Sequence, residues 1–123
     1  VERDAVIVAG FGCRSGADEK ALRAALAAHD VAVDAIATLS HKAGLLASLA
    51  DALAVPLILI EPAAIRDIET PTQSPASLTA YATGSVAEAV ALAAAGLGAQ
   101  LISPRIISAD GQATCALVQG VSA

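Results

Sequence analysis

The sequence predicts an α/β protein, a three-layer α/β/α sandwich on a mixed, mostly parallel sheet of about five strands with a C-terminal antiparallel hairpin. Three observations lead there. Short apolar runs rich in β-branched residues alternate with Ala/Leu-rich stretches through the first two-thirds of the chain, the pattern of parallel strands joined by crossover helices. The last third places two β-like runs, "AQLISPRIIS" and "ATCALVQG", on either side of "ADGQ", where Asp110-Gly111 is a strong hairpin signal. Apolar residues make up 56% of the chain, yet Phe11 and Tyr81 are the only aromatic side chains and there is no Trp or Met. A core of Ala, Leu, Val and Ile lets helices lie close to a sheet. The 123 residues suit one domain spanning 1–123.

Taken in order, residues 5–9 of "AVIVAGFG" read as a buried strand bounded by glycine. Ser15 and Asp18 offer N-cap chemistry for a helix over about 17–29, with Leu22, Ala25, Leu26 and His29 on one stripe. His29 falls at the helix C-terminus, where the dipole favours it. "AIATLS" is a second strand, and Ser40 can cap a helix over about 41–54 whose inner face is Leu46, Leu49, Ala50 and Leu53. "VPLILIE" is a third strand, with Pro56 at its start. Pro62 can open a helical turn or two, and Ser74-Pro75 reads as N-cap and first residue of a short helix. The Ser/Thr-rich stretch 70–83 reads as a mobile rim, one that closes over a ligand or is merely solvated. Ser85 and Glu88 have the spacing of a capping box, and Gly96 stands at the expected end of that helix.

Composition removes several function classes. A net charge of −5 argues against nucleic acid, which needs a basic face. The longest charge-free runs, 70–87 and 89–104, are broken by Pro, Gly or polar residues well short of the roughly 20 apolar residues of a span. The charged "VERD" leads into a strand, so no signal peptide is expected. Cys13 and Cys115 form neither a disulfide framework nor a CxxC pattern, and the other soft ligands are His29 and His41 alone. A soluble, cytoplasmic, reduced protein without metal or cofactor is expected.

The chemistry gathers where such sheets bind ligands, at the carboxyl ends of the strands. Gly10, Gly12 and Gly16 in "GFGCRSG" suit a turn, and also a cradle for an anion beside Arg14. The spacing is not that of a dinucleotide or Walker loop. His41 and Lys42 fall in the first turn of the second helix, where a cation opposes the macrodipole by about 0.3–1 kcal/mol. Lys42 lies four residues before Leu46, on the stripe facing the sheet, and no acidic residue occurs between Asp34 and Asp51. Unpaired cations at two helix N-termini point to an anion with several carboxylates or phosphates. Cys13 reads either as a small loop filler or as a thiolate nucleophile, its pKa lowered by the helix N-terminus and Arg14. Glu88 reads as a capping-box residue or as a general acid or base.

"GFGCRSG", Lys42 and "TGSVAEAVALAAAG" together resemble the cobalamin-biosynthesis family of CobE and the CbiG C-terminal domain. The resemblance rests on a G-x-G-C-R-x-G loop at Gly10, Gly12, Cys13, Arg14 and Gly16, a lysine opening the second helix at Lys42, and an S-V-A-E-A helix at Ser85, Val86, Ala87, Glu88 and Ala89. "ATCALV" is similar to the family's closing strand. The glutamate that commonly follows the lysine in the family is missing from "HKAGLLASLA". The resemblance implies a cobalamin biosynthesis protein of the stand-alone form. Its ligand would be a precorrin or corrinoid intermediate, and other enzymes of the pathway would be partners. Longer relatives imply a hydrolase that opens the ring lactone of cobalt-precorrin-5A.

Three functions follow. The first is a protein that binds a polycarboxylate tetrapyrrole through Gly10, Gly12, Cys13, Arg14, Gly16, Ser40, His41, Lys42, Gly84, Ser85 and Glu88. The second is a lactone hydrolase acting through Cys13 or Glu88. The third is a small phosphate-ligand domain. No nucleophile, base and orienter can be assembled from the sequence, which favours the first. An exposed Ala/Leu surface would suit a homodimer.

Overall fold

Side-chain alternation along the central strand stacks the layers. In the computed structural model, which describes residues 5–14, 16–96 and 98–121, β1 (Ala5–Cys13) turns Ala9 and Phe11 to one side of the sheet and Val8, Gly10 and Gly12 to the other. β2 (Ala35–Leu39) and β3 (Leu57–Ile60) extend the sheet on one side of β1, parallel to it. β5 (Ala113–Val121) lies on the other side, antiparallel to both β1 and β4 (Gln100–Ile107). The order is β3-β2-β1-β5-β4, so every strand except β5 runs the same way. This is the predicted mixed sheet.

One face is covered by α1 (Glu19–Ala27) and α2 (Ala43–Leu53). Leu22, Leu46 and Leu49 pack there on Phe11, Ile36, Cys115 and Leu117. The crossover from β3 to β4 covers the other face with α3 (Pro62–Ile65), α4 (Pro75–Tyr81) and α5 (Val86–Ala95). There Ile65, Ala89 and Val90 pack on Val8, Ala35, Ala37 and Leu39.

Close approach explains two glycines, Gly10 against α5 and Gly12 against β5. A Cβ on Gly10 would collide with the Ala87 carbonyl oxygen and lie 2.7 Å from the Ala91 Cβ. One on Gly12 would lie 2.9 Å from Thr114 Oγ1. Ala87, Ala91 and Ala95 recur every fourth residue, so one alanine stripe meets Gly10 and, at its far end, Gly120.

Several sequence expectations need correction. β1 runs on to Cys13 instead of ending at residue 9, because Gly10, Gly12 and Cys13 continue the ladder with Ala116, Thr114 and Ala113. The helix expected over 17–29 is the shorter α1, capped by Asp18, whose carboxylate accepts the Ala21 N–H at 3.0 Å. Ser15 lies outside the described residues. Ser40, His41 and Lys42 form a separate 3₁₀ turn, Ser40 makes no side-chain cap, and Lys42 is the residue before α2. The hairpin loop spans 108–112, where the Asp110 carboxylate accepts from Ser108 Oγ and the Gln112 N–H.

Within the stretch 70–83, residues 71, 73, 75, 76 and 78–80 are exposed, as a rim would be, while both ends are anchored. Thr70 and Thr83 are buried, and their hydroxyls donate to the Thr72 and Ile68 carbonyls, so local polar side chains tie the segment down. Ser74 caps α4 from before Pro75, as the sequence predicts.

Candidate functional site

β1 is the strand at which the chain changes direction across the sheet, with β2 and β3 to one side and β5 and β4 to the other. Ligands in open α/β sheets bind at the carboxyl end of such a strand. A crevice of about 710 Å³ lies there. Its floor is the end of β1, at Gly12, Cys13 and Arg14, beside Thr114 of β5. Val86, the first residue of α5, also lines it, and Ser77 and Tyr81 of α4, with the α4 cap Ser74, form a wall. Arg105 and Ile107 of β4 complete it.

The crevice is cationic. Arg14 and Arg105 line it and no acidic side chain does. Among the described residues the ion pair is Arg23 with Glu19, neither of which lines the crevice, and Arg14, Lys42 and Arg105 have no carboxylate partner. A smaller cavity of about 360 Å³ on the 66–84 segment is lined instead by Asp67 and Glu69.

Cys13 does not meet the expectation of a depressed pKa. Burial pushes its thiol above the ordinary value, and the nearby Lys42 ammonium only partly offsets that, so the group is a thiol at neutral pH. Cys115 is buried within β5 and pushed up further by desolvation. His41 is exposed at the rim, its ring stacked 6.4 Å from that of Tyr81. Its Nε2 lies 3.5 Å from the Tyr81 hydroxyl.

Glu88 is fully buried and does not line the crevice. Ser85 Oγ accepts the Glu88 N–H at 3.3 Å, which is one half of a capping box. The carboxylate turns elsewhere. Oε1 accepts the Thr72 N–H at 3.1 Å, and Oε2 accepts Thr72 Oγ1 at 2.7 Å and the Arg105 N–H at 2.8 Å. Glu88 thus joins the 70–73 loop and β4 to α5.

Of the residues singled out by sequence, Gly12, Cys13 and Arg14 line the crevice, while His41 and Lys42 stand beside it through Tyr81 and Cys13. Gly10 is buried under α5, and Gly84 is packed on the Thr72 carbonyl and Gln73. Ser85 is buried as the α5 cap, Gly16 is exposed in a turn, and Ser40 starts the 3₁₀ turn. His29 lies beyond α1, where its Nε2–H donates to the Cys115 carbonyl at 2.6 Å and Nδ1 accepts from Ser103 Oγ at 2.8 Å. It braces the sheet.

Sequence reasoning missed Arg105, Ser77 and Tyr81. The signal for Arg105 was present, since "SPRI" places a proline and a cation inside an apolar strand. Nothing local marks Ser77, whose buried hydroxyl has no hydrogen-bond partner among the described residues.

The chain matches the family model described as Cobalamin synthesis G C-terminus over residues 7–118. Among solved structures it is similar to CobE, a protein from the cobalamin (vitamin B12) biosynthetic pathway. The two share 31% sequence identity over 97% of this chain and 93% of that one, with a TM-score of 0.81. It is also similar to the cobalamin biosynthesis protein chiG from Agrobacterium tumefaciens str. C58, at 33% identity over 96% of this chain and all of that one (100%), with a TM-score of 0.65. A cobalamin biosynthesis protein G homolog from Sulfolobus solfataricus shares the fold, with 23% identity over 93% of this chain and 36% of that one and a TM-score of 0.67. None of the curated proteins matches.

Proposed function

The chain belongs to the cobalamin synthesis G C-terminus family, and from that premise we propose that it binds a precorrin or corrinoid intermediate in the crevice at the carboxyl end of β1. The observation that carries this reading is a cavity of about 710 Å³ with arginines and no carboxylate in its lining. Its size falls within the ~300–1,000 Å³ of small-molecule sites. Precorrins are macrocycles fringed with carboxylates. Arg14 supplies charge-assisted hydrogen bonds to that fringe, and Lys42 and His41 add positive potential at the rim. Ala76, Ala80, Val86 and Ile107 supply an apolar surface for the ring.

In this reading Gly12, Cys13 and Arg14 touch ligand. Gly10, Gly84, Ser85 and Glu88 shape the site from behind. Holding a reactive intermediate between pathway enzymes in the cytoplasm, alone or as a homodimer, belongs to the same proposal. Among the described residues, no single helix is long and apolar enough to cross a membrane. Binding is favoured over lactone hydrolysis because Cys13 is a protonated thiol without a histidine at hydrogen-bond distance and both Glu88 oxygens are engaged.

The test is a visible-absorption titration with hydrogenobyrinic acid and a series of precorrins, on the natural protein and Arg14→Ala. A saturable shift, weakened in Arg14→Ala and without a new product, is the expected result. A spectrum that keeps changing with time would establish turnover instead. No shift with any corrinoid would overturn the reading, and binding of ATP in its place would make this a phosphate-ligand domain.

A further inference from the structure

We propose that Arg105 is the second anionic-group anchor of the crevice, so that the site selects ligands carrying carboxylates at two separate positions. The inference deepens the corrinoid reading and rests on it for the ligand's identity.

Arg105 owes its place to an irregularity. Along β4 the pairing with β5 slips twice, between Leu101 and Ser103 and again between Ser103 and Ile106. The second slip sets three residues of β4 against two of β5, which is a β-bulge, a device that re-aims a side chain. Pro104 lacks an N–H, and the Arg105 N–H donates to the buried Glu88 carboxylate at 2.8 Å. Glu88 is therefore a positioning residue, holding the Arg105 backbone and, through Thr72, the loop that leads into the α4 wall.

Unlike its backbone, the Arg105 guanidinium has no hydrogen bond or ion pair among the described residues, although it lines a crevice whose other charged lining residue is Arg14. The two arginines do not share a position. The Arg14 N–H donates to the Gln112 carbonyl at the start of β5, whereas Arg105 falls between the partners of Leu117 and Cys115 on the far side of that strand. Two interstrand spacings, about 9.6 Å, separate their strands. Such a pair suits two carboxylates on one ligand better than one carboxylate held twice.

The experiment compares natural protein, Arg105→Ala, Arg14→Ala and, as a control for lost charge, Arg66→Ala, which lies outside the crevice. Two probes are titrated, hydrogenobyrinic acid and benzenehexacarboxylate, with thermal melting as the check on folding. Arg105→Ala is expected to melt like the natural protein and to weaken binding of both probes by roughly 10–100-fold, as Arg14→Ala does, while Arg66→Ala leaves binding unchanged. Unchanged binding by Arg105→Ala overturns the second anchor and leaves the corrinoid reading standing. A natural protein that ignores hydrogenobyrinic acid but holds benzenehexacarboxylate through Arg105 removes the corrinoid reading and keeps the anchor. Failure to bind either probe overturns both.

Discussion

The seam between α5 and β1 and, Tyr81 apart, the wall that α4 offers to the crevice are made of small residues, with opposite results. At the seam, Ala87 and Ala91 are fully buried on Gly10 and Gly12, and the backbones approach until no Cβ fits on Gly10. At the wall, Ala76 and Ala80 remain exposed, and Ser77 keeps a buried hydroxyl with no partner among the described residues. Small side chains facing glycine draw two elements together and leave no volume. The same side chains facing a ring of longer polar groups leave a space for a ligand. The site thus depends on one tight contact and one incomplete one, with Glu88 joining α5 to the loop before α4.

The sharpest way to break the contrast is Gly10→Ala. The new methyl meets backbone atoms of α5 that cannot move aside alone, so a loss of about 3 kcal/mol or more is expected in chemical denaturation. Gly16→Ala, with its nearest neighbour the Gln112 Oε1 at 3.9 Å, is expected to stay within about 0.5 kcal/mol. Equal effects would refute the close-packed seam. Next comes Glu88→Ala, which strands the Thr72 and Arg105 N–H groups and should cost about 2–4 kcal/mol by the same measurement.

The two thiols contrast a core position with the crevice edge. Both are held above the ordinary thiol value of 9.0 when folded. A pKa raised by folding means that stability is fully present below the unfolded value and declines as pH rises past it. Above pH about 9 the stability should therefore fall by up to about 1.4 kcal/mol per pH unit on account of Cys115, and by less for the half-exposed Cys13. Cys115→Ala should flatten that decline, and an unchanged slope would count against a buried neutral thiol. The smallest effect has the opposite sign. Ser77→Ala removes an unpaired buried hydroxyl and is expected to raise stability by up to about 1 kcal/mol; a loss would show that the hydroxyl has a partner in solution.

Much of this was legible in the chain. Alternating β-branched and Ala/Leu-rich segments pointed to the layers, and Asp18, Ser74 and Ser85 were found as helix caps because a cap needs one short polar side chain at one place. Asp110-Gly111 marked the hairpin for a similarly local reason. The glycines misled in part. Gly10 and Gly12 were visible as a cluster, but the partners that require them, Ala87 and Ala91 for Gly10 and Thr114 for Gly12, lie far later in the numbering. Glu88 was seen as a capping residue because its spacing to Ser85 is local, whereas its carboxylate is claimed by Thr72 and Arg105.

By itself the sequence determined periodicity, caps, turns and the family motif, since each depends on neighbours within a few residues. The tertiary structure decided which charges face the crevice, which thiol is desolvated and which glycine is indispensable. Burial, close approach and electrostatic partnership depend on distances between segments far apart in the chain, and those distances exist only after the sheet has brought β1, β4, β5 and α5 together.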